Sequence, residues 1–108
     1  MSNFSLSDLQ TIIEQRSTAG ADASYTASLL DKGVLKCAEK FGEEAVELAL
    51  AAVAQEPADV ANEAADVLYH LMVVLRARGV KLAQIMTILE QRTAQSGLAE
   101  KAARNAPE

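Results

Sequence analysis

The chain has 108 residues, which suits a single domain over 1–108, and half of them are hydrophobic, so a buried core is possible. Aromatic residues make up only 4% and Trp is absent, so that core must be mainly aliphatic. With few prolines and glycines and little strand-like alternation, we expect an all-α protein. A net charge of −5 and the lack of a Lys/Arg-rich run argue against a nucleic-acid partner.

Cysteine usage and hydropathy favour a cytoplasmic protein. The single cysteine, Cys37, cannot form an intramolecular disulfide, and its apolar neighbours predict a buried packing role rather than a nucleophile. The first residues lack a basic region followed by an apolar run, so we expect no secretion signal. The longest apolar run, 67–75, is far too short to span a bilayer, so we expect no membrane partner.

The first half of the chain begins with two predicted helices. Apolar residues at helical spacing predict a first helix over about 6–17, which Ser5 would cap. After a loop, Ser24 would cap a short second helix over about 25–32, and Gly33 would end it.

Three further helices follow in chain order. The third is predicted over about 34–55, and the fourth over about 57–78 with Pro57 in its first turn. The fourth ends in a basic turn followed by Gly79, as the helix dipole favours. A fifth helix is predicted over about 81–95. We therefore expect a bundle of about five helices around a central antiparallel hairpin of the third and fourth.

Glycine inside the third helix needs an explanation. Gly42 costs about 1 kcal/mol relative to Ala at such a position. It is either a tolerated local weakness or a place where a side chain would obstruct a neighbouring helix or ligand. We favour the second explanation because Gly42 directly precedes an acidic motif.

The two long helices have apolar stretches that need neighbours on more than one side. Residues 45–54 and 67–75 are apolar nearly all round. With only five helices available, the simplest arrangement is a homodimer that buries the helical hairpin against its twin. The tail over about 98–108 is predicted to be a frayed helix or flexible.

Two short acidic motifs carry most of the chemical information. They are Glu44-x-x-Glu47 and Glu63-x-x-Asp66, and residues three apart share a helix face. Glu47 lies nine residues before the predicted turn at Glu56-Pro57 and Asp66 nine after it, so antiparallel helices would bring the carboxylates together. Such a cluster is unfavourable without a cation, and its oxygen ligands suit Mg²⁺ or Mn²⁺.

Other interpretations of these residues stay open. Acidic pairs on helices are usually exposed faces, and Lys36 and Lys40 could simply be salt-bridge partners for Glu39, Glu43 and Glu44. A lone histidine cannot form a zinc site, so a packed role is favoured for His70 over a role near metal or substrate. The sequence has no phosphate-binding glycine loop, so phosphate binding would depend on the metal.

Four stretches together resemble a known family. They are Ser24-Tyr-Thr-Ala27, Lys40-Phe-Gly-Glu-Glu-Ala-Val-Glu47, Glu63-Ala-Ala-Asp-Val-Leu-Tyr-His-Leu71 and Arg92-Thr-Ala-Gln-Ser-Gly-Leu-Ala-Glu-Lys101. They resemble the phosphoribosyl-ATP pyrophosphohydrolases of histidine biosynthesis, within the all-α NTP pyrophosphohydrolase superfamily. The paired acidic motifs indicate the superfamily, and the first and last stretches narrow the resemblance to this member. No cyclohydrolase domain follows, so we expect the stand-alone form.

The resemblance implies roles for particular residues. The metal-binding carboxylates would be Glu44, Glu47, Glu63 and Asp66. Glu43 and Glu44 would be catalytic, by orienting the attacking water or accepting its proton. The substrate's phosphates and ribose would be held by Lys36, Lys40, Arg92, Ser96 and Lys101. The chain departs from the family at Lys81, which stands where a helix-capping Ser or Asp is common.

The resemblance also implies an activity. It is Mg²⁺-dependent hydrolysis of phosphoribosyl-ATP, a small-molecule substrate, to phosphoribosyl-AMP and pyrophosphate. One rival is a housecleaning pyrophosphohydrolase that acts on ordinary or damaged nucleoside triphosphates through the same metal site. A rival of another class is a non-enzymatic helical dimerisation module with an incidental acidic face.

Overall fold

The computed structural model describes residues 2–94 and 104, and five helices follow one another within residues 2–94. They are α1 (Leu6–Ser17), α2 (Tyr25–Asp31), α3 (Val34–Ala54), α4 (Pro57–Arg78) and α5 (Leu82–Thr93). Residues 2–94 contain no β-strand. The predicted all-α class is therefore confirmed, and the predicted helix ends agree within two residues.

The helix ends form for the local reasons that the sequence indicates. The Asp8 N–H donates to Ser5 Oγ (3.2 Å) while the Ser5 N–H donates to the Asp8 carboxylate (2.9 Å), which completes a capping box. The Ala27 N–H donates to Ser24 Oγ (3.1 Å). Gly79 ends α4 with φ of 68°, a left-handed conformation that glycine adopts without strain.

The hairpin of α3 and α4 is the dominant packing unit, as predicted. Its core lies at the end remote from the α3–α4 turn, where α1, α2 and the start of α5 cover it. The buried cluster consists of Ile13, Leu29, Cys37, Met72, Val73 and Leu82. The Cys37 thiol donates to the Leu29 carbonyl oxygen (3.3 Å), and burial raises its pKa, so the predicted packing role is confirmed.

The start of α5 is capped by a contact that joins distant parts of the chain. Lys81 makes no side-chain cap, in agreement with the sequence expectation. Instead the Leu82 N–H donates to Gln10 Oε1 of α1 (2.8 Å), and the Lys81 N–H donates to Gln84 Oε1 (2.8 Å). Lys81 Nζ also pairs with Glu14 (2.8 Å), so the lysine ties α5 to α1.

One face of α3 presents apolar side chains to solvent. Leu35, Val46, Leu50 and Val53 are 82%, 59%, 63% and 88% exposed. Gly42 lies on this face by helical spacing, and a Cβ built there meets nothing within 4 Å among the described residues. The expected obstruction of a neighbouring helix at Gly42 is therefore wrong for the single chain: the packed face of α3 lies elsewhere.

Candidate metal and active site

Three of the predicted carboxylates converge across the hairpin. Glu44 projects from α3, and Glu63 and Asp66 project from α4 one turn apart. Each offers a carboxylate oxygen within 4.8 Å of the other two. Opposite oxygens around octahedral Mg²⁺ lie about 4.2 Å apart, so an upper limit of 4.8 Å on these oxygen–oxygen distances is comparable with what a bound ion requires.

The cluster carries unbalanced negative charge. Partial burial and then the carboxylates of Glu47, Asp66 and Glu63 raise the pKa of Glu44. Partial burial and the carboxylates of Glu47, Asp66 and Asp59 likewise raise the pKa of Glu63. Glu63 Oε2 is buried without a hydrogen-bond partner among the described residues. The cluster offers only oxygen ligands, its negative charge is not balanced by nearby cations among the described residues, and one buried acceptor lacks a hydrogen bond there. These features fit a hard divalent cation such as Mg²⁺ or Mn²⁺.

The other two predicted acids lie beside the cluster rather than in it. Glu47 is exposed and close enough to perturb both Glu44 and Glu63, but it does not belong to the group of three converging oxygens. Glu43 pairs with Lys40 on its own helix (3.2 Å). Glu43 is therefore engaged in a local ion pair and is not one of the three converging carboxylates.

The residues predicted to bind the substrate differ in their surroundings. Lys36 pairs with Glu39 (3.5 Å) and Lys40 with Glu43 (3.2 Å), which is the local ion pairing that the sequence left open. Arg92 lies exposed in the last turn of α5, a helix that packs against α1. The predicted substrate-binding residues Ser96 and Lys101 lie outside the described residues.

An aromatic cluster adjoins the acids. His70 is 6% exposed, and its ring contacts Tyr69 edge-on (centroids 5.0 Å apart) and Tyr25 (6.3 Å). Burial and then the charge of Lys40 lower the His70 pKa, which favours a neutral ring, and the predicted packed role is confirmed. Sequence analysis did not predict that Tyr25 belongs to this aromatic cluster, although it quoted the Ser24-Tyr-Thr-Ala27 stretch.

Within residues 2–94 and 104, no helix combines the length and apolar character needed to cross a bilayer. The family to which the chain belongs is shown by its similarity to known proteins.

The chain matches the family model described as phosphoribosyl-ATP pyrophosphohydrolase over residues 6–93. It is 58% identical over 99 residues to the phosphoribosyl-ATP pyrophosphatase of Azorhizobium caulinodans, covering 92% of this chain and 91% of the relative. It is 52% identical over 107 residues to that of Agrobacterium fabrum, covering 99% and 100%. It is 50% identical over 104 residues to phosphoribosyl-ATP pyrophosphatase 1 of Rhodopseudomonas palustris, covering 96% and 97%. The chain with this acidic helical hairpin therefore belongs to the phosphoribosyl-ATP pyrophosphohydrolase family.

Proposed function

We propose that this protein hydrolyses phosphoribosyl-ATP to phosphoribosyl-AMP and pyrophosphate in the cytoplasm, as the second step of histidine biosynthesis. The observation that carries the proposal is the convergence of Glu44, Glu63 and Asp66 in a member of this family. Relatives at 50–58% identity bear the corresponding enzyme name over nearly the whole chain. A hydrolase of a phosphoanhydride needs a site for a highly charged anion, and an acidic protein must provide it locally.

Magnesium is the proposed cofactor, with manganese as a possible substitute of similar chemistry. Glu44, Glu63 and Asp66 would hold it, and Glu47 stands close enough to add a ligand. Bound there, the ion would neutralise phosphate charge and make a water molecule more acidic.

The protein's own side chains would perform the remaining tasks. As the resemblance implies, Glu44 would orient the attacking water or accept its proton. Glu43, which pairs with Lys40, is the second candidate for this role. Lys40 and Lys36 lie on the same face of α3 and would attract the substrate's phosphates once they exchange their glutamate partners. The resemblance adds Arg92, Ser96 and Lys101 to the phosphate and ribose contacts.

The metal assignment is tested by two isosteric variants. Glu47→Gln and Asp66→Asn should abolish pyrophosphate release from phosphoribosyl-ATP while helical circular dichroism stays unchanged, because each change removes a charge and not a packing contact. Glu90→Gln, an exposed acid on α5, is the matched control and should keep wild-type turnover. Near-wild-type release from both site variants would contradict the assignment.

The same assay separates the related activity. A housecleaning enzyme would release pyrophosphate from a panel of deoxynucleoside triphosphates at least as efficiently as from phosphoribosyl-ATP. We expect phosphoribosyl-ATP to have the highest kcat/KM of the panel.

We also propose that the working form is a homodimer. Its support is the exposed apolar face of α3, because a soluble monomer rarely leaves large side chains such as Leu50 and Val53 together in water. Gly42 would then allow close approach of the partner along this face. Light scattering should give a mass of twice 11.5 kDa, and Leu50→Glu should halve it while Glu90→Gln does not. A monomeric wild type at micromolar concentration would contradict the dimer.

A further inference from the structure

An open groove begins where the aromatic cluster reaches the surface. It has a volume of about 490 Å³ and lies between the end of α1 and the start of α2. Arg16, Tyr25, Thr26 and Tyr69 contribute its principal side chains, and the small Ala19 and Ala23 leave it wide. None of the roles proposed above uses this groove.

One wall of the groove is a rigid aromatic shelf. Tyr25 is 57% exposed, and its ring lies nearly parallel to that of Tyr69, at 18° with centroids 6.3 Å apart. The buried Thr26 is hydrogen-bonded to the Tyr69 hydroxyl, and this bond holds the Tyr69 ring in place beside Tyr25. An exposed ring supported in this way suits stacking of a heteroaromatic base, which is sequence-tolerant and contributes substantially to binding.

The positive charge in the groove wall comes from Arg16. Its side chain is exposed, and no carboxylate within residues 2–94 forms an ion pair with it. A guanidinium group binds phosphate through paired, charge-assisted hydrogen bonds. Arg16 is therefore available to an anionic ligand in a chain whose net charge is −5.

These groups form a continuous path from the acidic cluster. His70 follows Asp66 by one turn of α4, a rise of about 6 Å. The His70 ring contacts Tyr25 at 6.3 Å, and Tyr25 shares the groove with Arg16. The path thus leads from carboxylates, past an aromatic shelf, to a guanidinium group that has no ion-pair partner within residues 2–94.

Phosphoribosyl-ATP has the same order of groups. Its triphosphate lies at one end, its purine in the middle, and the 5′-phosphate of the second ribose at the other end. ATP and the deoxynucleoside triphosphates lack that second phosphate. A site for it would let the protein distinguish phosphoribosyl-ATP from ATP, whose triphosphate could reach the same acidic cluster.

Resting on the proposed function, we infer that the groove binds the phosphoribosyl-purine portion of the substrate: the purine stacks on Tyr25, and Arg16 binds the second ribose 5′-phosphate. Arg16 is then the residue that sets specificity against ATP. The small Ala19 and Ala23 provide room for the second ribose.

Binding of phosphoribosyl-AMP and AMP by calorimetry tests this inference without turnover. We expect the wild type to bind phosphoribosyl-AMP at least about tenfold more tightly than AMP, as one charge-assisted phosphate contact would give. Arg16→Met should reduce this preference to within about twofold, and Arg16→Lys should keep part of it. Tyr25→Ala should weaken both ligands by a similar factor, whereas Tyr25→Phe should not.

Arg78→Met is the matched control, because Arg78 is exposed at the C-terminal end of α4 and does not line the groove. This variant should keep the wild-type preference for phosphoribosyl-AMP over AMP. The inference is overturned if Arg16→Met keeps the wild-type preference, or if the wild type binds the two ligands equally or not at all. Pyrophosphate release by the wild type is measured separately. Turnover of phosphoribosyl-ATP with an unchanged preference in the Arg16 variants would refute the subsite alone, and absence of turnover would refute the proposed function.

Discussion

Replacing Glu44 by Gln should stabilise the metal-free protein, although it removes a residue of the proposed active site. The Glu44 carboxylate faces those of Glu63 and Asp66 with oxygens within 4.8 Å and no cation in contact among the described residues. Gln keeps the shape of the side chain and removes its charge. The variant therefore reports the electrostatic cost of gathering carboxylates for a metal.

The size of the effect follows from the spacing. At 4.8 Å, the upper limit of the oxygen–oxygen distances, two unit charges repel by about 0.9 kcal/mol in a water-like dielectric. At 0.15 M salt, screening roughly halves this value. With Glu63 and Asp66 as neighbours, Glu44→Gln should relieve about 1 kcal/mol, and the nearby Glu47 carboxylate adds to this relief. In a domain of this size that raises the melting temperature by about 4–8 °C.

Magnesium should reverse the order of stability. A ligand that binds only the folded state adds about 2.7 kcal/mol at a concentration one hundred times its Kd. The wild type should therefore melt below Glu44→Gln in EDTA and above it in saturating Mg²⁺. Thermal melts followed by circular dichroism, with and without Mg²⁺ and at low and high salt, measure both effects.

The control is Glu90→Gln, which changes the same charge on an exposed face of α5 and should move neither melting curve by more than about 1 °C. A lower melting temperature for metal-free Glu44→Gln would refute the reasoning, because it would mean that the Glu44 carboxylate is favourably paired. An equal Mg²⁺ response in wild type and variant would remove Glu44 from the metal site.

Two further predictions concern pH and the α1–α5 contact. Folding raises the pKa of Glu44, so above the ordinary value of 4.5 the folded chain binds more protons than the unfolded chain, and the metal-free wild type loses stability as pH rises. The stability advantage of metal-free Glu44→Gln over the wild type should therefore grow from pH 4.5 to 7. Urea titrations that show a constant advantage over this range would contradict the predicted sign. Gln10→Ala removes the acceptor for the Leu82 N–H and should lower the free energy of unfolding by about 1 kcal/mol, which lowers the melting temperature by about 4–8 °C. The control is Gln15→Ala, at an exposed position on the same helix, which should lower the free energy of unfolding much less.

Local structure was predictable from sequence because its causes are local. Ser5, Ser24, Pro57 and Gly79 mark helix ends through hydrogen bonds and backbone conformations that involve residues a few positions away. The antiparallel hairpin followed from a short connection between two long helices. The equal distances of Glu47 and Asp66 from that turn predicted that the two acidic motifs would lie side by side, although it is Glu44 and not Glu47 whose oxygen converges with those of Glu63 and Asp66.

Other features depended on contacts between distant residues, for which sequence spacing carries no signal. Gln10 caps α5 across 72 positions, and Thr26 fixes Tyr69 across 43. The sequence suggested a crowded Gly42, yet that face of α3 is open in the single chain, because α1 and α2 pack on other sides of the hairpin.

The sequence by itself determined the helices, the hairpin and the acidic motifs, since periodicity, capping and spacing act along one chain segment at a time. Only the tertiary structure decided which acids converge. It joined Glu44, Glu63 and Asp66, left Glu47 beside them, and turned Glu43 toward Lys40. It alone joined Tyr25 to Arg16 in one groove. The physical reason is that side-chain direction and burial at a site are set by how helices pack, and packing is decided by the whole chain.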